Sequence, residues 1–434
     1  MMKRVLLFAF AIGLLISSPF FLFACGPNSN DVKRSFYEIS EDSFEGKTFP
    51  FIRINVEDNK EIVSKDEYLS CTVDVTNTTE NYVYSQKPAK IKGRGNSTWG
   101  MPKKPYKLKF DSKINLFGFG KAKSYSLIAN YCDKSLSRNY IAYEIAEELG
   151  LSETTSAQPV NLVVNGEYYG VYLLCEQNEI GSNRVDIESD LSDIDTGYLV
   201  ELDARAPDEG VLGVDYFAIA DNNYAIKDPA TTELEFTAEH FAFINNYFNS
   251  CYNAISGSDY SAVCDLIDVE SFAKCYLVHE LLNCVDVGFS SFYFHKKSGG
   301  KLFAGPLWDF DISSGNCDYN ESSNSTENLY AKNSNVWYKK LLKFPEFKNL
   351  VSDKLNEYKT TISQTIDRVL NFQLEYAENN KANFEVWKIL KKYVWPNPRK
   401  IVKIKTFEGQ VNYLKTWLEE KLNYMVQVYL PNNT

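Results

Sequence analysis

Histidine is scarce in this sequence: only His240, His279 and His295 occur among 434 residues. No two of them lie within fifteen residues of each other, which argues against a His-rich zinc site and leaves any metal chemistry to carboxylates. A basic excess is also lacking, because 46 Lys and Arg stand against 57 Asp and Glu, for a net charge of −11. Duplex-binding proteins normally carry a basic surplus, so nucleic acid is not an expected partner.

Cysteine pairs with C-x-x-C spacing are absent as well, which excludes the common zinc and redox motifs. Eight cysteines follow Cys25, and an even number permits disulfides in an oxidising compartment. Several of them lie in apolar patterns, as Cys175 does in residues 171–175, and this favours buried free thiols. The sequence leaves the pairing open. With 44% hydrophobic and 24% charged residues the composition is that of a globular protein, and the length allows one to three domains.

The amino terminus has the pattern of an export signal. Lys3 and Arg4 precede an apolar run over residues 5–24, and Leu22-Phe-Ala-Cys25 resembles the box at which bacterial lipoproteins are cleaved and lipidated. We therefore predict a signal peptide over 1–24, a lipid anchor on Cys25 that attaches the protein to a membrane, and a polar tether over 25–47. An uncleaved membrane helix is the alternative. Either way, the remaining chain is expected outside the cytoplasm.

Residues 48–430 are predicted to form one α+β domain with two packed halves and a cleft between them. Short alternating segments predict strands in the first half, about 48–228, interrupted by one helix that ends at Gly150. Asn165-Gly166 between apolar runs predicts a hairpin. The second half, about 229–430, has helical periodicity with an embedded hairpin near 289–303.

A basic, glycine-containing segment is the first candidate for chemistry. Residues 92–110 read KGRGNSTWGMPKKPYKLKF, in which glycines flank Arg94 and lysines follow on a strand. Such a turn lets the backbone approach an anion, and the lysines could hold phosphates. A charged edge strand is the alternative interpretation.

Two acidic segments are the other candidates. Asp286 follows an apolar helix and is a candidate for chemistry. The alternative interpretation is that it is simply a turn or cap residue. Asp309 and Asp311 lie in Trp308-Asp-Phe-Asp311, and two carboxylates in an apolar context are costly to bury unless they bind a cation or an arginine. Oxygen ligands favour Mg²⁺ or Ca²⁺.

The order of these parts is that of protein kinases, in which a Gly-rich loop, a strand lysine, a helix glutamate, a loop Asp and an Asp-Phe element follow one another. Beyond that order, three stretches resemble the CotH (spore coat protein H) kinase family over about residues 50–420. They are 94–99 with 103–110, 165–172, and 308–311 with 315–316. The resemblance implies a divergent, bilobal protein-kinase-like fold that binds ATP and Mg²⁺ and phosphorylates serine residues of proteins.

The resemblance also implies roles for individual residues. Asp286 matches the catalytic Asp that orients or accepts the acceptor hydroxyl. Asp309 matches the metal-binding Asp, with Asp311 as a second possible ligand. Arg94 and Lys107 (or Lys109) are expected to contact phosphates. Glu144 is expected to orient that lysine, with Glu147 and Glu148 as alternatives, and Glu176 is expected to lie near the adenine.

The sequence departs from ordinary kinases at three places. Cys284-Val285 precedes Asp286 where kinases have His-Arg, Ser291 stands where they have a metal-binding Asn, and Asp311 follows Asp-Phe instead of Gly.

From the resemblance and the export signal together, we expect an exported Ser/Thr kinase of an unidentified extracytoplasmic protein. A non-catalytic surface adhesin on the same scaffold is the alternative, and carbohydrate binding by the abundant aromatic residues is a third interpretation.

Overall fold

The computed structural model describes residues 33–431 except 38, 40 and 45. The predicted signal segment 1–24 and the predicted lipidation site Cys25 lie outside the described residues. Within the part of the chain that is described, no helix combines the length and the apolar character needed to cross a bilayer. The eight cysteines in that part are all free thiols.

A closed barrel of seven strands forms most of the first half of the chain. The strands run in the order β1-β2-β3-β4-β5-β7-β6, and parallel pairing of β6 with β1 closes the barrel. Their bounds are β1 (Phe51–Val56), β2 (Leu69–Thr76), β3 (Tyr84–Gly93), β4 (Tyr106–Asn115), β5 (Lys121–Ile128), β6 (Ala157–Val164) and β7 (Glu167–Glu176). The alternating patterns predicted these strands individually.

Strand β4 shows how alternation divides the barrel into two faces. Tyr106, Leu108 and Phe110 are buried in the barrel's own hydrophobic cluster. Successive side chains of a strand point to opposite faces, so Lys107 and Lys109 lie on the outer face of the barrel.

Helix α1 (Arg138–Glu148) connects β5 to β6, as the sequence predicts. It buries Ile141 and Ile145 in the main hydrophobic core, which it shares with the later helices. The following hairpin of β6 and β7 is also confirmed. Asn165 and Gly166 have φ values of 50° and 80°, the positive values that a two-residue hairpin turn of this kind requires.

A second sheet joins the two predicted halves. It has five strands in the order β12-β11-β8-β10-β9. Their bounds are β8 (Tyr198–Leu202), β9 (Tyr216–Ile219), β10 (Asn222–Asp228), β11 (Phe292–Lys296) and β12 (Leu302–Ala304). Since β8 pairs with β11, the boundary expected near residue 228 falls within one continuous sheet.

The second half of the chain is mainly helical. Helix α5 is buried along most of its length, and α8 packs against α1, α5 and α11. The helices after α1 are α2 (Ala206–Glu209), α3 (Ala238–Ser256), α4 (Tyr260–Leu266), α5 (Val269–Leu282), α6 (Tyr330–Ser334), α7 (Val336–Leu341), α8 (Pro345–Glu375), α9 (Ala377–Val386), α10 (Arg399–Val402) and α11 (Phe407–Tyr429).

A buried polar contact joins the barrel to α9. The amide oxygen of Asn383 accepts hydrogen bonds from Val171 N at 3.1 Å and from Lys103 Nζ at 2.9 Å. Gly170 has a φ of 96°, and a Cβ atom there would lie 2.4 Å from the same oxygen. Gly170 is therefore required for close approach of the helix. Burial in this contact lowers the pKa of Lys103.

Candidate active site

Asp286 lies on a tight turn directly after the buried helix α5. The helix ends at Leu282, and Asn283 follows in the left-handed conformation with a φ of 46°. The carbonyl of Asp286 accepts hydrogen bonds from Phe289 N at 2.8 Å and from Ser290 N at 2.9 Å. The backbone of this turn is therefore fixed while the carboxylate of Asp286 lines a cavity.

The Asp309–Asp311 segment is anchored by the residue between the two carboxylates. Phe310 is fully buried, and its ring stacks on His279 with centroids 5.4 Å apart. Its backbone N–H donates to Asn139 Oδ1 at 2.7 Å. Asp309 itself has a φ of 67°, so the chain turns sharply at this carboxylate.

The two acidic segments are joined by backbone hydrogen bonds. Val285 N donates to the carbonyl of Ile312 at 3.3 Å, and Ser314 N donates to the carbonyl of Leu282 at 2.6 Å. These bonds place Asp286 beside the Asp309 segment, although the strands of a hairpin separate them in sequence. Asp286, Asp309 and Asp311 all line one polar cavity of about 240 Å³.

The start of α1 supports the same segment. Arg138 is almost fully buried and donates from Nε to the carbonyl of Ser313 at 3.0 Å and from Nη2 to that of Ser314 at 3.3 Å. Its charge is balanced by an ion pair with the buried Asp133. The sequence analysis missed Arg138 and Asn139, because a buried polar contact leaves no periodic signal.

The three carboxylates create an excess of negative charge. Burial, and next the charge of Asp309, raise the pKa of Asp286 to about 6, while Arg205 opposes the shift. Burial and the same neighbour raise the pKa of Asp311 well above its usual value. Among the described residues, none of the three carboxylates forms an ion pair, and the carboxylate of Asp311 accepts one hydrogen bond, from the Cys132 thiol at 3.4 Å.

This donor set fits a hard divalent cation. Carboxylate oxygens are the ligands that Mg²⁺ prefers, and a cation would offset the mutual repulsion of the acidic groups. Asp309 Oδ2 already accepts a hydrogen bond from the Ser291 hydroxyl at 3.2 Å, which orients the carboxylate. In the described part of the chain, however, no three His, Cys, Asp or Glu side chains stand close enough to form a ready-made metal cluster.

Cationic side chains also line the polar cavity. The guanidinium of Arg94 lies 5.4 Å from the ring centroid of Trp308, next to Asp309 in sequence. Arg205 and Lys227 reach the cavity from the second sheet and its connections. Lys227 pairs with Glu201 at 2.9 Å. Of these three residues the sequence indicated only Arg94. Arg205 and Lys227 were not indicated, because the position of the second sheet depends on long-range strand pairing.

The predicted strand lysines lie outside this cavity. Neither Lys107 nor Lys109 lines it, and Lys109 is exposed on the outer face of the barrel. Burial lowers the pKa of Lys107; nearby Glu179 opposes the shift, and the cations Lys92, Arg94 and Lys109 add to it. Lys107 thus lies within electrostatic reach of Arg94 but does not share its cavity.

The structure corrects the role expected for Glu144. Its Oε2 accepts a hydrogen bond from Arg368 of α8 at 2.6 Å, so it faces α8 and not the strand lysines. Of the two alternatives, Glu148 pairs with the same arginine at 2.9 Å, and Glu147 is exposed. The error arose because periodicity identifies the buried face of a helix but not the partner of each flanking residue.

Glu176 lies near the site but is engaged elsewhere. It is buried, forms an ion pair with Arg184 and accepts a hydrogen bond from Ser156 N at 2.9 Å. Burial raises its pKa, while Arg184 opposes the shift. It lines neither the polar cavity nor the larger cavity that adjoins it.

A larger cavity of about 700 Å³ adjoins the polar one. The residues common to both linings are Asn96, Ser97, Met101, Tyr131, Arg205, Asp286 and Ile312. Together the two cavities provide a mixed polar and apolar site of the size that accommodates small-molecule ligands.

Comparison with known proteins identifies the chain's relatives. Residues 91–425 match the family model described as CotH kinase protein. The matched range contains every residue that lines either cavity. No curated protein sequence matches the chain.

Proposed function

Because the chain belongs to the CotH kinase protein family, we propose that it transfers the γ-phosphoryl group of ATP to a Ser or Thr hydroxyl of a protein, with Mg²⁺ as the required cation. The observation that supports this most strongly is the convergence of Asp286 and Asp309 on one cavity that also contains Arg94. The proposal includes a divergent kinase-like arrangement, in which the barrel half covers the phosphates and the helical half supplies the acidic residues.

Asp286 would act on the acceptor. Its carboxylate is ionised at neutral pH, since its pKa is about 6, and it can accept the proton of the hydroxyl as attack begins. The acceptor oxygen forms a bond to the γ-phosphorus while the bond to the bridging oxygen breaks, and ADP leaves with that electron pair. Most of the acceleration in such transfers comes from positioning and charge stabilisation.

Asp309 and Asp311 would hold the cation, with Ser291 orienting Asp309. Bound Mg²⁺ offsets the charge of the triphosphate. Arg94 and Arg205 lie on the walls of the same cavity and would contact phosphate oxygens, whereas the charge of Lys227 is balanced by Glu201. The proposal thus assigns phosphate contacts to these residues in preference to Lys107 and Lys109.

We also propose an extracytoplasmic location with a lipid anchor on Cys25. The support is the sequence pattern alone: the basic start, the apolar run and the tetrad that ends at Cys25. Mass spectrometry of the amino-terminal peptide from the native host tests it. A diacylated Cys25 is expected, and an unmodified peptide that begins at residue 1 would contradict the proposal.

The catalytic proposal is tested by radiolabel transfer from ATP to exported proteins of the native host. Asp286→Ala and Asp309→Ala should each reduce incorporation by at least about 100-fold, the usual contribution of a general base or of charge stabilisation. Asp353→Ala, which alters an exposed Asp of α8, is the matched control and should leave incorporation unchanged. Equal incorporation by wild type, Asp286→Ala and Asp309→Ala would refute the residue roles. If wild type showed no Mg²⁺-dependent ATP binding, that result would favour the adhesin alternative.

A further inference from the structure

The larger cavity shares Asp286 with the polar cavity but does not include the proposed metal ligands. Asp286 lines both cavities, whereas Asp309 and Asp311 line only the polar one. Asp286 therefore stands between a compartment with metal-binding and phosphate-binding groups and a second compartment of about 700 Å³.

The lining of the second compartment is mainly apolar and aromatic, with a few neutral polar side chains such as Asn96 and Asn320. Tyr319 and Trp395 form a parallel stack with centroids 5.8 Å apart and planes inclined by 9°. Among the residues that the structure describes, the charged ones on its walls are Asp286 and Arg205. Arg205 donates to Ser290 Oγ at 3.2 Å and lies 5.0 Å from the ring centroid of Phe289, and it keeps its positive charge beside the negative charge of Asp286.

This chemistry selects against charged occupants. A lysine-rich or arginine-rich segment would meet Arg205 as a like charge, and an acidic segment would meet Asp286 as a like charge. Apolar walls and an aromatic stack instead favour aromatic and aliphatic side chains, whose burial releases water from both surfaces.

We propose that this compartment binds the acceptor segment, and that the segment carries an aromatic or aliphatic side chain within two residues of the Ser or Thr that is phosphorylated. The proposal rests on the kinase function given above. Transfer in line requires the acceptor to approach from the side opposite the leaving ADP. In this proposal the phosphates are held at Asp309, and the acceptor reaches them from the compartment that shares Asp286 with the polar cavity.

Matched peptides test the preference directly. Each contains one Ser, and the neighbouring positions hold either Tyr and Leu or Lys and Lys. For the wild-type protein with saturating ATP and Mg²⁺, kcat/KM should be at least about 10-fold higher for the apolar peptide, which corresponds to burial of one or two side chains. Equal kcat/KM values for the two peptides would overturn the proposal while leaving the kinase function intact.

Two variants locate the binding site. Phe289 and Tyr319 are 46% and 44% exposed, so Phe289→Ala and Tyr319→Ala are compatible with folding. Each should raise the KM for the apolar peptide by about 5-fold and leave the KM for ATP within about 2-fold, because each removes apolar contact with the acceptor only. Phe36→Ala alters a residue that is 80% exposed and lines neither cavity, and it should change neither constant.

Two further outcomes would overturn the proposal in distinguishable ways. If the two variants raised the KM for ATP instead, the compartment would hold the nucleotide base and not the acceptor. If wild type neither bound ATP with Mg²⁺ nor transferred phosphate to any peptide, the kinase function itself would fail together with the acceptor assignment.

Discussion

The Ser291 hydroxyl donates a 3.2 Å hydrogen bond to Asp309 Oδ2. Ser291 stands where ordinary kinases have a metal-binding Asn, and the sequence alone suggested only a lost ligand. The structure shows a side chain that orients the carboxylate expected to bind the metal. Ser291 N also donates to Glu201 Oε1 at 2.9 Å, so the second sheet fixes the position of this serine.

Replacing this serine should weaken Mg²⁺ binding without abolishing it. Ser291→Ala is expected to raise the Mg²⁺ concentration required for half-maximal transfer by about 10-fold, the lower end of what partners behind a metal ligand contribute. Titration of phosphoryl transfer with Mg²⁺ measures this. Ser250→Ala on α3, where the hydroxyl bonds only to the Asn246 carbonyl at 3.0 Å, is the control. Identical Mg²⁺ curves for wild type and Ser291→Ala would contradict the proposed role.

The titration of Asp286 should respond in opposite directions to two substitutions. In the metal-free protein its pKa is raised to about 6 by burial and by Asp309 and is opposed by Arg205. Asp309→Asn removes a like charge and should lower the pKa, whereas Arg205→Gln removes an opposite charge and should raise it. Carboxyl-carbon NMR, with Asp286→Asn to assign the signal, measures both shifts. No change in either variant would mean that the three groups do not interact.

The same pKa predicts how catalysis depends on pH. A protonated Asp286 cannot accept the hydroxyl proton, so kcat/KM for the acceptor should fall as the pH drops through the pKa. Bound Mg²⁺ adds positive charge and lowers the pKa, which moves the acid limb to lower pH as Mg²⁺ is raised. An acid limb that does not move with the Mg²⁺ concentration would show that the titrating group is remote from the cation.

Asn139 should act as a positioning residue for the metal site. Its Oδ1 accepts the hydrogen bond from Phe310 N, between the two carboxylates. Asn139→Ala leaves that buried N–H without a partner and should lower the free energy of unfolding by about 1–3 kcal/mol. Denaturant unfolding measures this effect, and Asn253→Ala, at an exposed position of α3, should stay within about 0.5 kcal/mol of wild type.

A purely structural role for Asn139 would leave the metal dependence of the folded enzyme unchanged. Our account instead expects the Mg²⁺ requirement of Asn139→Ala to rise under conditions in which the variant is fully folded, because Asp309 and Asp311 lose their common anchor. An unchanged Mg²⁺ requirement would limit Asn139 to stability.

Glu144 should be dispensable for nucleotide binding. It pairs with Arg368 at the surface between α1 and α8, and partly exposed ion pairs contribute less than about 1 kcal/mol. Glu144→Gln is therefore expected to keep the KM for ATP within about 2-fold, and Arg368→Gln should behave in the same way. Steady-state kinetics decides the matter. A large rise in the KM for ATP in Glu144→Gln alone would restore the role that the sequence suggested.

Local patterns in the sequence predicted secondary-structure elements and individual candidate residues better than the contacts that those residues make. Alternation predicted the strands, and Asn165-Gly166 predicted the hairpin, because both depend on neighbouring residues. Asp286 and Asp309 were identified because acidic residues in apolar surroundings are costly and therefore informative.

Features that depend on distant contacts could not be predicted in this way. Barrel closure requires β1 to pair with β6, and Lys227 reaches the cavity only through the second sheet. Arg138 holds the carbonyls of Ser313 and Ser314 through contacts that no spacing rule encodes. The strand lysines illustrate the same limit: the sequence placed Lys107 and Lys109 on a strand but could not show that the cavity lies elsewhere.

Calorimetric titration of the purified protein with ATP, with and without Mg²⁺, tests most directly the proposed division of roles, in which Asp309 holds the cation of the nucleotide and Asp286 acts on the acceptor. Wild type and Asp286→Ala should both bind ATP in a Mg²⁺-dependent manner, because Asp286 acts on the acceptor. Asp309→Ala should bind at least about 10-fold more weakly, a loss of about 1.4 kcal/mol. Equal affinities for all three proteins, or no Mg²⁺-dependent heat with wild type, would contradict the account.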